Sequence, residues 1–166
     1  MSEWFENPRD VESSNAVARR LGELWNFRFL RAEEGSPINF IGVPDATAHP
    51  PHDTVFLEVK SRNYDMDTLD RMGGILLNKK KWLAIKSLVD DSETSPIFVF
   101  VAKARDNMWA HVTTTFEYDS EMMGPRRDRD DRNSNGLCIT LKKRRFQPVS
   151  SVVPWHHASI TQPALL

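Results

Sequence analysis

Cysteine is almost absent: Cys138 is the only one in 166 residues. A lone thiol excludes an intramolecular disulfide framework and a zinc finger built on cysteine pairs. Glycine is scarce too, at seven, and no Gly-rich loop that cradles phosphates occurs, so the usual signature of ATP use is missing. No run reaches the ~18 apolar residues that a membrane span needs. The acidic, polar stretch from Met1 to Asp10 carries no signal-peptide pattern. A soluble, cytoplasmic protein with no membrane partner is the expectation. An excess of either charge is also lacking, with 22 Lys and Arg against 23 Asp and Glu and a net charge of -1. That balance excludes a globally basic nucleic-acid binder but leaves room for a locally basic one.

What is present fits a globular chain. The hydrophobic fraction of 40% and charged fraction of 27% match a chain that folds around a core rather than one that stays disordered. The length suits one domain. No internal repeat is found, and residues 1–145 read as a single domain with 146–166 as a C-terminal extension or tail. Val11, Val17, Ala18, Leu21 and Leu24 recur at helical spacing, with Gly22 placed to help end the helix. Trp25 to Leu30 alternates as a strand, Ile38 to Ala46 reads as a second, and Thr54 to Lys60 as a third. Ile75 to Val89 has the pattern of an amphipathic helix. Pro96 to Ala102 is the apolar run of a central strand. Arg105 to Asn107 turns into a strand from Met108 to Thr115, the Arg- and Asp-rich stretch from Gly124 to Asn135 reads as an exposed loop, and Leu137 to Leu141 is a short strand. Cys138 in that strand is most simply a core thiol. This order predicts an α/β fold, a mixed central sheet flanked by helices.

Chemistry concentrates in Gly42 to Arg62, GVPDATAHPPHDTVFLEVKSR. Pro44-Asp45 ends one strand, and Glu58-Val59-Lys60 lies in the next. The strand period of two puts Glu58 and Lys60 on one face, and a hairpin would let Asp45 approach that face. Two carboxylates brought together repel one another, and burial makes their ionisation costlier still. A hard divalent cation such as Mg²⁺, with Mn²⁺ as a substitute, resolves that conflict. Asp45 and Glu58 would be its carboxylates, the Val59 carbonyl a third oxygen, and Lys60 would sit beside the attacking water. Hydrolysis of a phosphodiester is the reaction that most naturally needs this set.

Pro44-Asp45 followed by Glu58-Val59-Lys60 resembles the PD-(D/E)xK nuclease superfamily. The resemblance implies a restriction-endonuclease-like αβββαβ core, and the element order from Val11 to Ala102 agrees. It further implies an Mg²⁺-dependent deoxyribonuclease, an endonuclease in preference to an exonuclease, with Asp45 and Glu58 as metal ligands and Lys60 as the catalytic lysine. The nearer likeness is to small phage or prokaryotic nucleases of the Holliday-junction-resolvase or viral replication-repair type, which would place it in the cytoplasm of a prokaryote or of a phage's host. Members of the superfamily often carry a further acid on the first helix. Glu12 is the candidate here, although an acid near a helix start is favoured in any case; Glu23 reads as a surface residue. Members also place a Gln or Lys from the second core helix at the metal. Lys79, Lys80 and Lys81 fall in that region, with Lys81 preferred among the three and a plain solvated helix face as the alternative for all of them.

DNA is the expected partner. Arg62 shares the Glu58 face and has the fork to hold a phosphate, unless it forms an ordinary ion pair. Lys79 to Lys81 with Lys86, and Lys142 to Arg145, are local basic clusters suited to phosphate contacts. Trp4, Phe5 and Trp155 could stack on unpaired bases, whereas Trp109 suits a core or edge strand. His49 and His52 flank Pro50-Pro51 between the two motifs, and His156-His157 stand without a partner at useful spacing. Symmetric cutting of two strands would call for a homodimer. The alternative reading is a non-catalytic DNA-binding or assembly module on the same fold.

Overall fold

Asn7 opens the first helix, α1 (Pro8–Trp25). Its side chain accepts the Asp10 N–H at 2.9 Å, with Pro8 at the first helical position. The computed structural model describes residues 7–44, 54–124 and 136–152. Helix α1 runs through Gly22 because its buried stripe continues from Val17, Ala18 and Leu21 to Trp25, one turn further. The stop is Asn26, in the left-handed region at φ 57, whose N–H returns to the Gly22 carbonyl. The expected end at Gly22 and the expected strand start at Trp25 are thereby corrected. Gly22 serves close approach instead: a Cβ there would lie 2.7 Å from the Phe27 carbonyl oxygen.

Strands β1 (Phe27–Arg31), β2 (Phe40–Pro44) and β3 (Val55–Ser61) form an antiparallel meander. A short helix α2 (Met66–Arg71) and strand β4 (Ile75–Asn78) follow, and helix α3 (Lys79–Asp90) then leads to β5 (Ile97–Lys103), which pairs in parallel with β3. Strands β6 (Met108–Thr113), β7 (Ser120–Met123), β8 (Leu137–Leu141) and β9 (Gln147–Pro148) complete the described elements. The main sheet has six strands in the order β1-β2-β3-β5-β6-β9, and β4-β8-β7 form a second sheet of three. The fold is mixed α/β, with parallel and antiparallel strands in one sheet and helices against it, as the sequence predicts.

The two faces of the main sheet bury different cores. Val55, Leu57 and Val59 pack with Val17, Leu21 and Trp25 of α1. Phe56, Phe98 and Phe100 pack with Trp82 and Ile85 of α3 and with Ile139 and Leu141 of β8. Strand β5 is covered on both sides, so its run from Ile97 to Ala102 is apolar and buried. No helix among the described residues is long and apolar enough to cross a membrane.

Two expectations change. Ile75–Asn78 is a strand, not the first turn of a helix. Ile75 and Leu77 alternate inward, and Asn78 caps α3 by accepting the N–H groups of Lys80 and Lys81. Gly74, at φ 106, lets β4 reach β8, since a Cβ there would lie 2.7 Å from the Leu141 carbonyl oxygen. The packed domain also extends past residue 145. Phe146, Val149 and Val152 are buried, and Gln147–Pro148 pairs with β6. The rest of the expected tail, the expected loop over 125–135, Trp4, Phe5 and Trp155 lie outside the described residues.

The basic segment Lys142 to Arg145 is tied down by acids. Lys143 pairs with Asp67, while Arg144 and Arg145 converge on Asp119, which also accepts the Lys142 N–H at 2.7 Å. Burial opposes the charge of Asp119, but Arg145, the Lys142 N–H and Arg144 outweigh it and hold the carboxyl well below the usual carboxylate range. A depressed native pKa contributes stability that is complete above the unfolded value, about pH 4, and is lost as the pH falls below it. Asp119→Asn is therefore expected to be less stable than wild type at neutral pH and to lose less on acidification. Thermal melts from about pH 6 down to about pH 3 would check this, and parallel curves for the two proteins would contradict it.

Candidate active site

Alternation along β3 turns Glu58 toward α3, on the same side as Phe56. In register, Glu58 faces Phe100 of β5, and Lys60 faces Ala102. A carboxylate in such surroundings is costly unless its charge is met. The Asn78 cap starts α3 at the point that sends Lys81 of its first turn inward. The Lys81 Nζ lies 2.9 Å from Glu58 Oε2, with side-chain exposures of 5% and 0%. The contact is an ion pair without hydrogen-bond alignment, and neither Glu58 oxygen has a hydrogen-bond partner among the described residues. Lys60, the next residue on that side, is half-buried. Glu58 and Lys81 thus meet on the α3 face, with Lys60 next along the same side of β3, and Lys81 is the member of the lysine run that reaches Glu58.

Asn39 shapes the other flank, and the sequence reading passed over it. Regular β2–β3 pairing stops at Phe40 and Leu57. One residue further, the Asn39 N–H donates to the Leu57 carbonyl at 3.0 Å, and its Oδ1 accepts the Val59 N–H at 2.7 Å. This buried carboxamide thereby holds the peptide that links Glu58 to Val59. The signal was a lone carboxamide in the otherwise apolar stretch Ile38 to Val43. The Val59 side chain points to the opposite, α1 core.

The antiparallel register also decides which end of β2 lies near Glu58. Gly42 faces Val55, and each later residue of β2 moves further from Glu58. Pro44 therefore ends β2 five strand positions beyond the Asn39 level, roughly 17 Å along the strand. Asp45, His49 and His52 lie outside the described residues, as do His156 and His157.

The remaining candidates are placed individually. Glu12 is exposed on α1, which packs on the face opposite Glu58, and no hydrogen bond or ion pair joins the two. It is the neighbouring Ser13 that reaches β3, its Oγ 2.9 Å from that of Ser61. Glu23 is exposed, as expected. Arg62 donates through Nη1 to the Ser61 carbonyl and through Nη2 to that of Leu76, each at 3.0 Å, so it straps the end of β3 to β4. Lys79 pairs with Glu121 at 2.6 Å, a hydrogen bond that raises the lysine's pKa and lowers that of the glutamate. Lys80 is exposed. Cys138 is buried and in no disulfide, as expected of a core thiol.

Among the described residues no group of three or more His, Cys, Asp or Glu side chains is arranged to hold a metal ion. The oxygens of Glu58, buried and without a hydrogen-bond partner among the described residues, nevertheless suit a hard cation, as does the carboxamide oxygen of Asn39 at the adjoining Val59 N–H. Lys81 already delivers one positive charge to the same carboxylate. Comparison of the chain with family models, with curated proteins and with solved structures finds no match.

Proposed function

We propose that the chain is a metal-dependent nuclease of restriction-endonuclease-like architecture that hydrolyses DNA phosphodiester bonds. The observation that carries this reading is Glu58, a fully buried carboxylate with no hydrogen-bond partner at either oxygen among the described residues, paired with Lys81 and followed on the same strand face by Lys60. The order of elements supports it. Taken alone, α1, β1, β2, β3, α3 and β5 run αβββαβ, with α2 and β4 inserted before α3. Glu58 and the Val59 carbonyl are the β3 oxygens that would hold Mg²⁺ or Mn²⁺. When bound, the cation supplies charge neutralisation at the phosphate and a more acidic water. Lys60 orients that water or donates to a phosphate oxygen. Lys81 sets a countercharge beside Glu58 inside the core. Exposed Lys80 offers a salt-sensitive phosphate contact, whereas Arg62 and Lys79 act through the protein contacts described above.

A second reading has its own observation. The position next to Glu58 across the ladder is a neutral Asn39, and Lys81 alone can balance Glu58, as in a module that binds DNA without cutting it. One assay separates the two. Linear, single-stranded and branched DNA are incubated with and without Mg²⁺ or Mn²⁺, using wild type, Glu58→Gln and Lys60→Ala. Cleavage that requires the cation and falls on the order of 10²-fold or more in each variant supports the nuclease. Binding without cleavage, or cleavage indifferent to chelation and to Glu58→Gln, overturns it.

A further inference from the structure

We infer that Asn39 occupies the second oxygen-ligand position of the Glu58 site, and that its neutrality together with Lys81 keeps divalent-cation affinity low. This rests on the reading of Glu58 as a metal-facing carboxylate. The register carries the first half. Asn39 is the residue of the β2 edge that stands beside Glu58, its Oδ1 2.7 Å from the amide nitrogen that follows Glu58. The motif's Pro44 ends β2 at the far end of the same ladder. Position in the folded hairpin brings Asn39 beside Glu58.

Charge carries the second half. A hard cation gains most from paired carboxylates, and affinity follows the number of charged ligands. Here one carboxylate meets one carboxamide, and the Lys81 ammonium lies 2.9 Å from Glu58 Oε2. An incoming cation would have to displace or tolerate that ammonium. An aspartate at position 39 is nearly isosteric with asparagine and keeps an oxygen to accept the Val59 N–H. It would add the missing negative charge without moving the backbone.

The test is Mn²⁺ binding to the full chain without nucleic acid, read by electron paramagnetic resonance of free Mn²⁺. Asn39→Asp is expected to bind on the order of tenfold or more tightly than wild type. Adding Glu58→Gln to it should abolish the gain. A thermal shift gives a second readout: Asn39→Asp should melt lower than wild type in chelator and recover with Mn²⁺. Equal affinity of Asn39→Asp and wild type, or a gain that survives Glu58→Gln, overturns the inference. A tight-binding Asn39→Asp variant that cuts no DNA would overturn the nuclease reading and leave this one standing.

Discussion

Lys81→Met is expected to lower the melting temperature by roughly 6–20 °C, the equivalent of about 3–5 kcal/mol in a chain of this size. The methionine side chain fills nearly the same volume, so packing is not the cause. The cause is Glu58, which would remain fully buried without the ammonium that lies 2.9 Å from its Oε2, and with no hydrogen-bond partner at either oxygen among the described residues. Breaking a buried pair costs far more than the pair contributes, because the cost is that of an uncompensated charge in the core. The double variant Glu58→Met with Lys81→Met separates these effects. It removes both charges and is expected to lie within about 2 kcal/mol of wild type, since apolar replacement of a whole buried pair is often neutral. Chemical denaturation of the four proteins in the cycle checks this. Additive losses would mean that Lys81 stabilises through its methylene stem and not through Glu58.

How much of this was legible in the sequence depends on which interactions decided each element. The face shared by Glu58 and Lys60 follows from the period of a strand, and it holds. Strand β5 was legible because nothing but a two-sided burial accounts for Ile97 to Ala102. Two features misled. The apolar residues Ile75 and Leu77 fit a helical face as well as a strand, and only β8, some sixty residues later, decides between them. Phe146, Val149 and Val152 look like scattered apolar residues until β6 and β9 pair. The hairpin pairing was the deeper gap. Asp45 lies outside the described residues, and spacing alone does not state which end of β2 meets Glu58. That follows from the Phe40–Leu57 pair, a tertiary fact, and it brings in Asn39. Inward selection of Lys81 over Lys79 and Lys80 likewise depends on where α3 starts, and so on the Asn78 cap.

Trp82→Ala is expected to be comparably severe, at about 3–5 kcal/mol. Trp82 is fully buried beside Lys81 on α3, with edge-on ring contacts to Phe98 at 5.8 Å and Phe116 at 5.2 Å. Its indole N–H also donates to the Phe116 carbonyl at 3.0 Å. Phe116 has φ 58, the left-handed region that non-glycine residues seldom adopt, so the indole anchors a backbone conformation that local preferences disfavour. Truncation removes the rings' contacts, opens a cavity and leaves a buried carbonyl without its donor. Trp82→Phe keeps most of the apolar surface and drops only the donor, so a loss of about 1–3 kcal/mol is expected for it. Denaturant melts of both variants measure the two contributions. Equal losses would mean that the hydrogen bond, not packing, dominates. The consequence reaches the candidate site, because consecutive residues 81 and 82 both point into the core. The indole fixes the rotation of α3, and that rotation aims Lys81 at Glu58. Trp82→Phe should therefore retain the aim and leave cation binding unchanged, even as global stability falls.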